Sequence, residues 1–198
     1  MKEFLLLLPI IFIIHDMEEI VGFGWFFRKN PWVFKKFPKI TKSFYQNFKT
    51  DIFALGVYEE FIPFFGVSLV AYYFPNYFLF AFWYGLMLAL TAHFVIHIGL
   101  SVYIRKFIPS VITSIIFLPI SILILINTAG FLTFDFVTII SVMIAIIVMI
   151  LNFLFLHWSM NKLKNSNLQE YWYDIKRRKW LFNDTFFEVC TKNVSLNI

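Results

Sequence analysis

The chain is short of charge and nearly without cysteine. Only 15% of its 198 residues are Asp, Glu, Lys or Arg, against 60% hydrophobic and 22% aromatic. A soluble domain needs a charged surface that this composition does not supply, and a mean hydropathy of +0.76 puts the chain in the integral membrane class. The lone cysteine, Cys190, excludes a disulfide within the chain, and with it an oxidised extracellular scaffold. No internal repeat is evident, which removes sequence support for a transporter made of two inverted halves. The net charge of +5 sits beside apolar runs, where topology and lipid headgroups account for it, so nucleic acid is not an expected partner.

What the sequence does contain is long apolar runs. They predict an all-α integral membrane protein with about five transmembrane helices, near residues 4–27, 51–74, 77–104, 109–126 and 134–158. These make a helical membrane domain of residues 1–160, followed by a cytoplasmic tail, 161–198, whose stretch from Leu168 to Phe182 reads as an amphipathic helix on the membrane surface. Lys2 and the run from Phe4 to Ile14 imitate a signal peptide. No small-residue cleavage site follows and the apolar run resumes at Ile20, so the segment is expected to stay as the first span. Pro119 is expected to kink the fourth span. Basic residues cluster between Arg28 and Lys49, at Arg105 and Lys106, and after His157. The positive-inside rule then puts the amino terminus outside, the carboxy terminus in the cytoplasm and the protein in the cell membrane as a multi-pass chain.

Inside these runs lie residues that a bilayer tolerates poorly. Each ionised group near the bilayer centre costs roughly 2.5 to 3.5 kcal/mol on insertion scales, so His15, Asp16, Glu18 and Glu19 in the first span mark a functional segment. At about 100° per residue, His15, Glu18 and Glu19 share a face and Asp16 points elsewhere. Asp16 is expected to bond a neighbouring helix or Arg28. Glu59 and Glu60 lie in the second span, and His93 and His97, one helical turn apart, in the third. With a rise of about 1.5 Å per residue the depths of these groups overlap, so three spans can present them to one pocket, with His157 as a further imidazole from the fifth. Imidazoles and carboxylates from several helices are the ligand set for zinc, iron or manganese. A metal-free proton pathway and a structural hydrogen-bond network remain open on the same residues. In the structural reading His97 bonds a backbone carbonyl or Ser101.

The His15, Glu18, Glu19 spacing, after an apolar run that includes Pro9 and Phe12, resembles the signature of the HXXEE-domain membrane proteins. The stretch from His97 through Arg105, Lys106 and Pro109 to Pro119 and Ser121 is similar to a later block of that family. There a glycine follows the first proline and an asparagine often precedes the histidine by four; here these positions are Ser110 and His93. The resemblance covers roughly the first 125 residues. It implies an all-helical membrane protein from a family suspected of enzymatic activity. Intramembrane prenyl-protein endopeptidase-like proteases are more distant, because their arginine after the glutamate pair is replaced by Phe23 or Phe64.

The residues support, as a leading expectation, a metal-dependent hydrolase acting on a lipid or another membrane-embedded substrate in the cytoplasmic half of the bilayer. His15, Glu18, Glu59, His93 and His97 are the candidate metal ligands, and Glu19 and Glu60 the candidate acid/base groups. The cofactor is a divalent metal ion, zinc ahead of iron or manganese. Membrane lipids and the lipid substrate are the expected partners, and a homo-oligomer is compatible with the sequence. The alternatives are a proton- or metal-ion-coupled transporter that uses the same residues as a relay, and a membrane binding protein with a structural polar core.

Overall fold

The computed structural model describes residues 1–38, 49–133 and 135–165. The described residues form helices and turns: α1 (Lys2–Leu5), α2 (Leu7–Lys29), α3 (Trp32–Lys36), α4 (Thr50–Tyr73), α5 (Tyr77–Ile104), α6 (Val111–Ala129) and α7 (Phe136–Asn165). Four of them, α4, α5, α6 and α7 as far as Met160, are long and apolar enough to cross a membrane. α2 has the length, at 23 residues, but Asp16, Glu18 and Glu19 interrupt its apolar run. This is the all-α membrane fold read from the sequence. The chain divides into two compact units, Met1–Trp158 and Ser159–Ile198, and of the second only the end of α7 is described. The expected surface helix from Leu168 to Phe182, and the basic loop over residues 39–48, lie outside the described residues.

In the first unit α5 packs most extensively on α6, and α2 on α4. The buried face of α2 repeats at helical spacing through Leu8, Phe12, His15, Glu19, Phe23 and Phe26, so the polar residues share a stripe with the core phenylalanines. Phe12 stacks on Phe64 of α4 with ring centroids 4.6 Å apart. Trp83 of α5 is fully buried, and its indole N–H donates to the Leu5 carbonyl at 3.0 Å, using an acceptor that the end of α1 leaves free.

The turns that orient the helices are set locally. α5 ends at Arg105 in the left-handed region, φ 56°, where the Lys106 N–H bonds Ser101 O and the Arg105 N–H bonds Val102 O. This 6→1 and 5→2 pair is a Schellman cap. α6 begins after Ser110, also left-handed at φ 77°, and runs on past Pro119 without ending there. Asp135 caps the start of α7 by accepting from the Thr138 N–H at 2.9 Å, and that bond holds its carboxyl below the usual carboxylate range.

Two glycines permit close approach. A Cβ on Gly22 would meet Pro109 Cβ at 2.5 Å, so glycine here lets the start of α6 lie against α2 one turn beyond Glu18. A Cβ on Gly85 would fall 2.7 Å from Ala145 Cβ and 2.9 Å from the Val142 carbonyl oxygen of α7. Because a backbone atom blocks the second site, Gly85→Ala is expected to destabilise the protein by about 1 to 3 kcal/mol. The check is the thermal midpoint in detergent, and an unchanged midpoint would show that α5 and α7 are not held at this distance.

Candidate metal centre

His15, Glu19, His93 and His97 form one group, each offering a ligand atom within 4.8 Å of the others. α2 supplies the first two, one turn apart. α5 supplies the histidine pair, also one turn apart, and packs edge-on to the His15 ring at 5.2 Å for each. His15 is fully buried, and Glu19 and His97 are nearly so.

The hydrogen bonds around the group assign its protons. Thr113 Oγ1 of α6 donates to Glu18 Oε2 at 2.7 Å, so its contact with His15 Nδ1 at 2.9 Å is one in which the imidazole N–H donates. Ser110 Oγ donates to the Pro109 carbonyl, and by the same reasoning accepts from His97 Nδ1 at 2.7 Å. That assignment puts the proton of both rings on Nδ1 and turns both Nε2 atoms inward, His97 Nε2 then accepting from His93 Nε2.

His97 Nε2 meets Glu19 Oε1 at 2.9 Å and His93 Nε2 at 2.9 Å, while His15 Nε2 lies 3.9 Å from Glu19 Oε1. The 2.9 Å approach of Glu19 lacks hydrogen-bond geometry: neither its Oε1 nor His15 Nε2 has a hydrogen-bond partner. His93 Nε2 and His97 Nε2 share one hydrogen bond, which leaves His15 Nε2 and Glu19 Oε1 buried without a partner, a costly state unless a proton or a cation lies among them. Ligand atoms of a tetrahedral zinc site, at bond lengths of about 2.0 to 2.1 Å, are about 3.3 Å apart, and the observed separations bracket that spacing. The residues present can thus hold a divalent ion, with the Thr113 and Ser110 hydroxyls as the outer partners that orient ligating histidines.

Glu18 and Glu59 are not brought to this group. Glu18 accepts from the Thr113 backbone N–H at 2.9 Å as well as from its hydroxyl, and so caps a helix whose own N-cap residue, Ser110, makes no side-chain capping bond. Glu59 Oε2 accepts from Asn152 of α7 at 3.3 Å. Glu19, expected as an acid/base group, stands inside the histidine cluster. Ser101 bonds the Lys106 carbonyl, and His97 bonds Ser110 in its place. The His157 side chain lies outside the described residues.

A cavity of about 730 Å³ opens beside the group, with Asp16, Glu19, Glu60, His93 and His97 at its polar end. Its other walls are apolar, from Phe12 and Phe64 to Ile150 and Phe153. Glu60 lines it as a carboxylate outside the histidine cluster. So does Asp16, which is 4% exposed and leaves its Oδ1 unpartnered where a bond to a neighbouring helix or to Arg28 was expected. The reason is angular: taking His15 as 0°, Glu19 lies near 40°, Asp16 near 100° and Glu18 near −60°. One broad stripe of α2 therefore serves three neighbours. Sequence reasoning did not place Thr113 and Ser110 beside the cluster, where their hydroxyls bond His15 and His97. For Ser110 there was a signal, since it stands where the family resemblance implies glycine and its φ of 77° is a conformation glycine enters freely and serine only at some cost.

The fold and this site define a class: an all-α membrane protein that buries a histidine and carboxylate group among its helices. More narrowly, the chain belongs to the family described as "Protein of unknown function with HXXEE motif", whose model matches residues 6–124. The motif's fixed letters fall on His15, Glu18 and Glu19. No curated protein and no solved structure matches the chain.

Proposed function

We propose that the chain is a metal-dependent hydrolase acting on a lipid or another membrane-embedded substrate, with His15, Glu19, His93 and His97 holding one divalent ion. The observation that carries this reading is that His15 Nε2 and Glu19 Oε1 are buried without a hydrogen-bond partner beside the His93–His97 pair, all four residues offering ligand atoms within 4.8 Å of one another. A divalent ion bound there supplies a Lewis acid and lowers the pKa of water to about 7. Glu60, in the cavity and outside the ligand cluster, takes the proton from the attacking water and returns it to the leaving group. The cavity volume lies within the usual range for small-molecule sites, and its apolar walls suit a hydrocarbon chain. The basic segments flanking the spans favour the cell membrane, with the carboxy terminus on the cytoplasmic side.

The test is hydrolysis of long-chain esters and amides by the detergent-purified protein, with and without a chelator. Glu60→Gln is expected to lower turnover by about 10²- to 10⁴-fold while metal content stays at the parent value. Full turnover in that variant would remove Glu60 from the chemistry. Chelator-insensitive turnover, or a parent that binds no metal, would overturn the metal-dependent reading.

A further inference from the structure

Asp16 is the buried acid that the metal reading leaves unused. It is 4% exposed, lines the cavity, and its Oδ1 has no hydrogen-bond partner. Glu60 lines the same cavity, and neither carboxylate forms an ion pair among the described residues. With Glu19 they put three acids at one end of a chamber that no Lys or Arg lines. The remaining walls come mainly from apolar residues of α4, α5 and α7.

We propose that this cavity binds a single-chain amphiphile with a primary ammonium head, Asp16 acting as the counter-ion and the apolar walls enclosing the hydrocarbon chain. Charge decides between heads. An anionic phosphate or sulfate would meet Asp16 and Glu60, the two acids outside the ligand cluster, with no Lys or Arg in the lining, and like charges at close range are strongly disfavoured in a water-poor site. A neutral alcohol offers the unpartnered Asp16 Oδ1 a single donor and no positive charge, the weaker partner for a buried acid. An ammonium brings three donors and the missing positive charge, and it satisfies the unpartnered Oδ1 directly. A bare inorganic cation would leave the apolar walls unfilled. Glu60 adds to the attraction without being the principal contact, which leaves it available for proton transfer. The proposal deepens the hydrolase reading by naming the head of its substrate, and rests on that reading only for treating the cavity as a substrate site.

The probes are dodecylamine, dodecanol and dodecyl phosphate, which share a chain and differ in head charge. Each is titrated calorimetrically into the metal-loaded full-length protein in a neutral detergent, with protein-free detergent as the blank. Dodecylamine is expected to bind at least 10-fold more tightly than dodecanol, and dodecyl phosphate most weakly. Asp16→Asn is expected to abolish the amine preference while metal content and thermal midpoint hold, and Asp16→Glu to retain part of it. Should Asp16→Asn fail to fold, Glu60→Gln reports instead, with an expected loss of several-fold in the preference. Tightest binding of dodecyl phosphate, equal affinity for all three heads, or an undiminished preference in folded Asp16→Asn would overturn the proposal. The titrations are repeated on chelated protein. A retained amine preference in a protein that never binds metal would sink the hydrolase reading and leave this one standing.

Discussion

Metal analysis of the detergent-purified protein is expected to return close to one divalent ion per chain, and His97→Ala close to none. His97 is the most informative ligand to remove, because its Nε2 lies 2.9 Å from both Glu19 Oε1 and His93 Nε2 and so joins the α2 and α5 halves of the group. His15→Ala should behave similarly, since its Nε2 is fully buried and has no other partner. Both variants must elute as monodisperse species, so that lost folding is not read as a lost ligand. Removing the ion with a chelator should lower the thermal midpoint, because a ligand that binds only the folded state stabilises by RT ln(1 + [L]/Kd), about 4.1 kcal/mol at a thousandfold excess over Kd. A parent protein that stays metal-free in the presence of zinc, manganese and iron would show that a proton, shared between Glu19 and an imidazole, satisfies the cluster. Proton-coupled uptake into proteoliposomes would then be the next measurement.

The second large effect is expected at a residue that touches no ion. Thr113→Val keeps the side-chain shape, removes the hydroxyl between Glu18 Oε2 and His15 Nδ1, and spares the Thr113 backbone N–H bond to Glu18. His15 then loses the acceptor that holds its proton on Nδ1, and the ring is free to take the wrong tautomer or to rotate. Outer partners of this kind are typically worth 10- to 100-fold in metal affinity, and that fall is expected here. Thr113→Ser, which keeps the hydroxyl, should restore most of it. A stability loss of about 1 to 3 kcal/mol should accompany Thr113→Val, because Glu18 and His15 each give up a buried or half-buried partner. An unchanged metal affinity with only the stability loss would reduce Thr113 to a helix-capping role.

The sequence made the helices legible because apolar runs of twenty residues have few other uses, and it picked out α2 because acids inside such a run are costly. The pairing of His93 with His97, and their meeting with α2, followed from helical spacing and overlapping depth. The division of labour within His15-x-x-Glu18-Glu19 did not follow. Glu18 and Glu19 are adjacent and chemically alike, and which one joins the histidines depends on the angle at which α6 meets α2. That angle is set by Gly22 against Pro109 and by two left-handed residues, Arg105 and Ser110, none of which carries a periodic signal. Asp16, expected to bond a neighbouring helix or Arg28, lines the cavity for a related reason. The stripe of α2 that faces other groups spans about 160°, wider than the single face that a three-helix pocket suggests.

The acids of α2 also bear on how the chain is made. A helix carrying Asp16, Glu18 and Glu19 partitions poorly into lipid by itself, at roughly 2.5 to 3.5 kcal/mol for each ionised group near the centre. The residues that receive these acids and their neighbour His15 come later: Thr113 for Glu18 and His15, and His97 for Glu19. The partners of these α2 residues thus follow them by some eighty to one hundred positions, so burying the acids of α2 depends on segments synthesised after it.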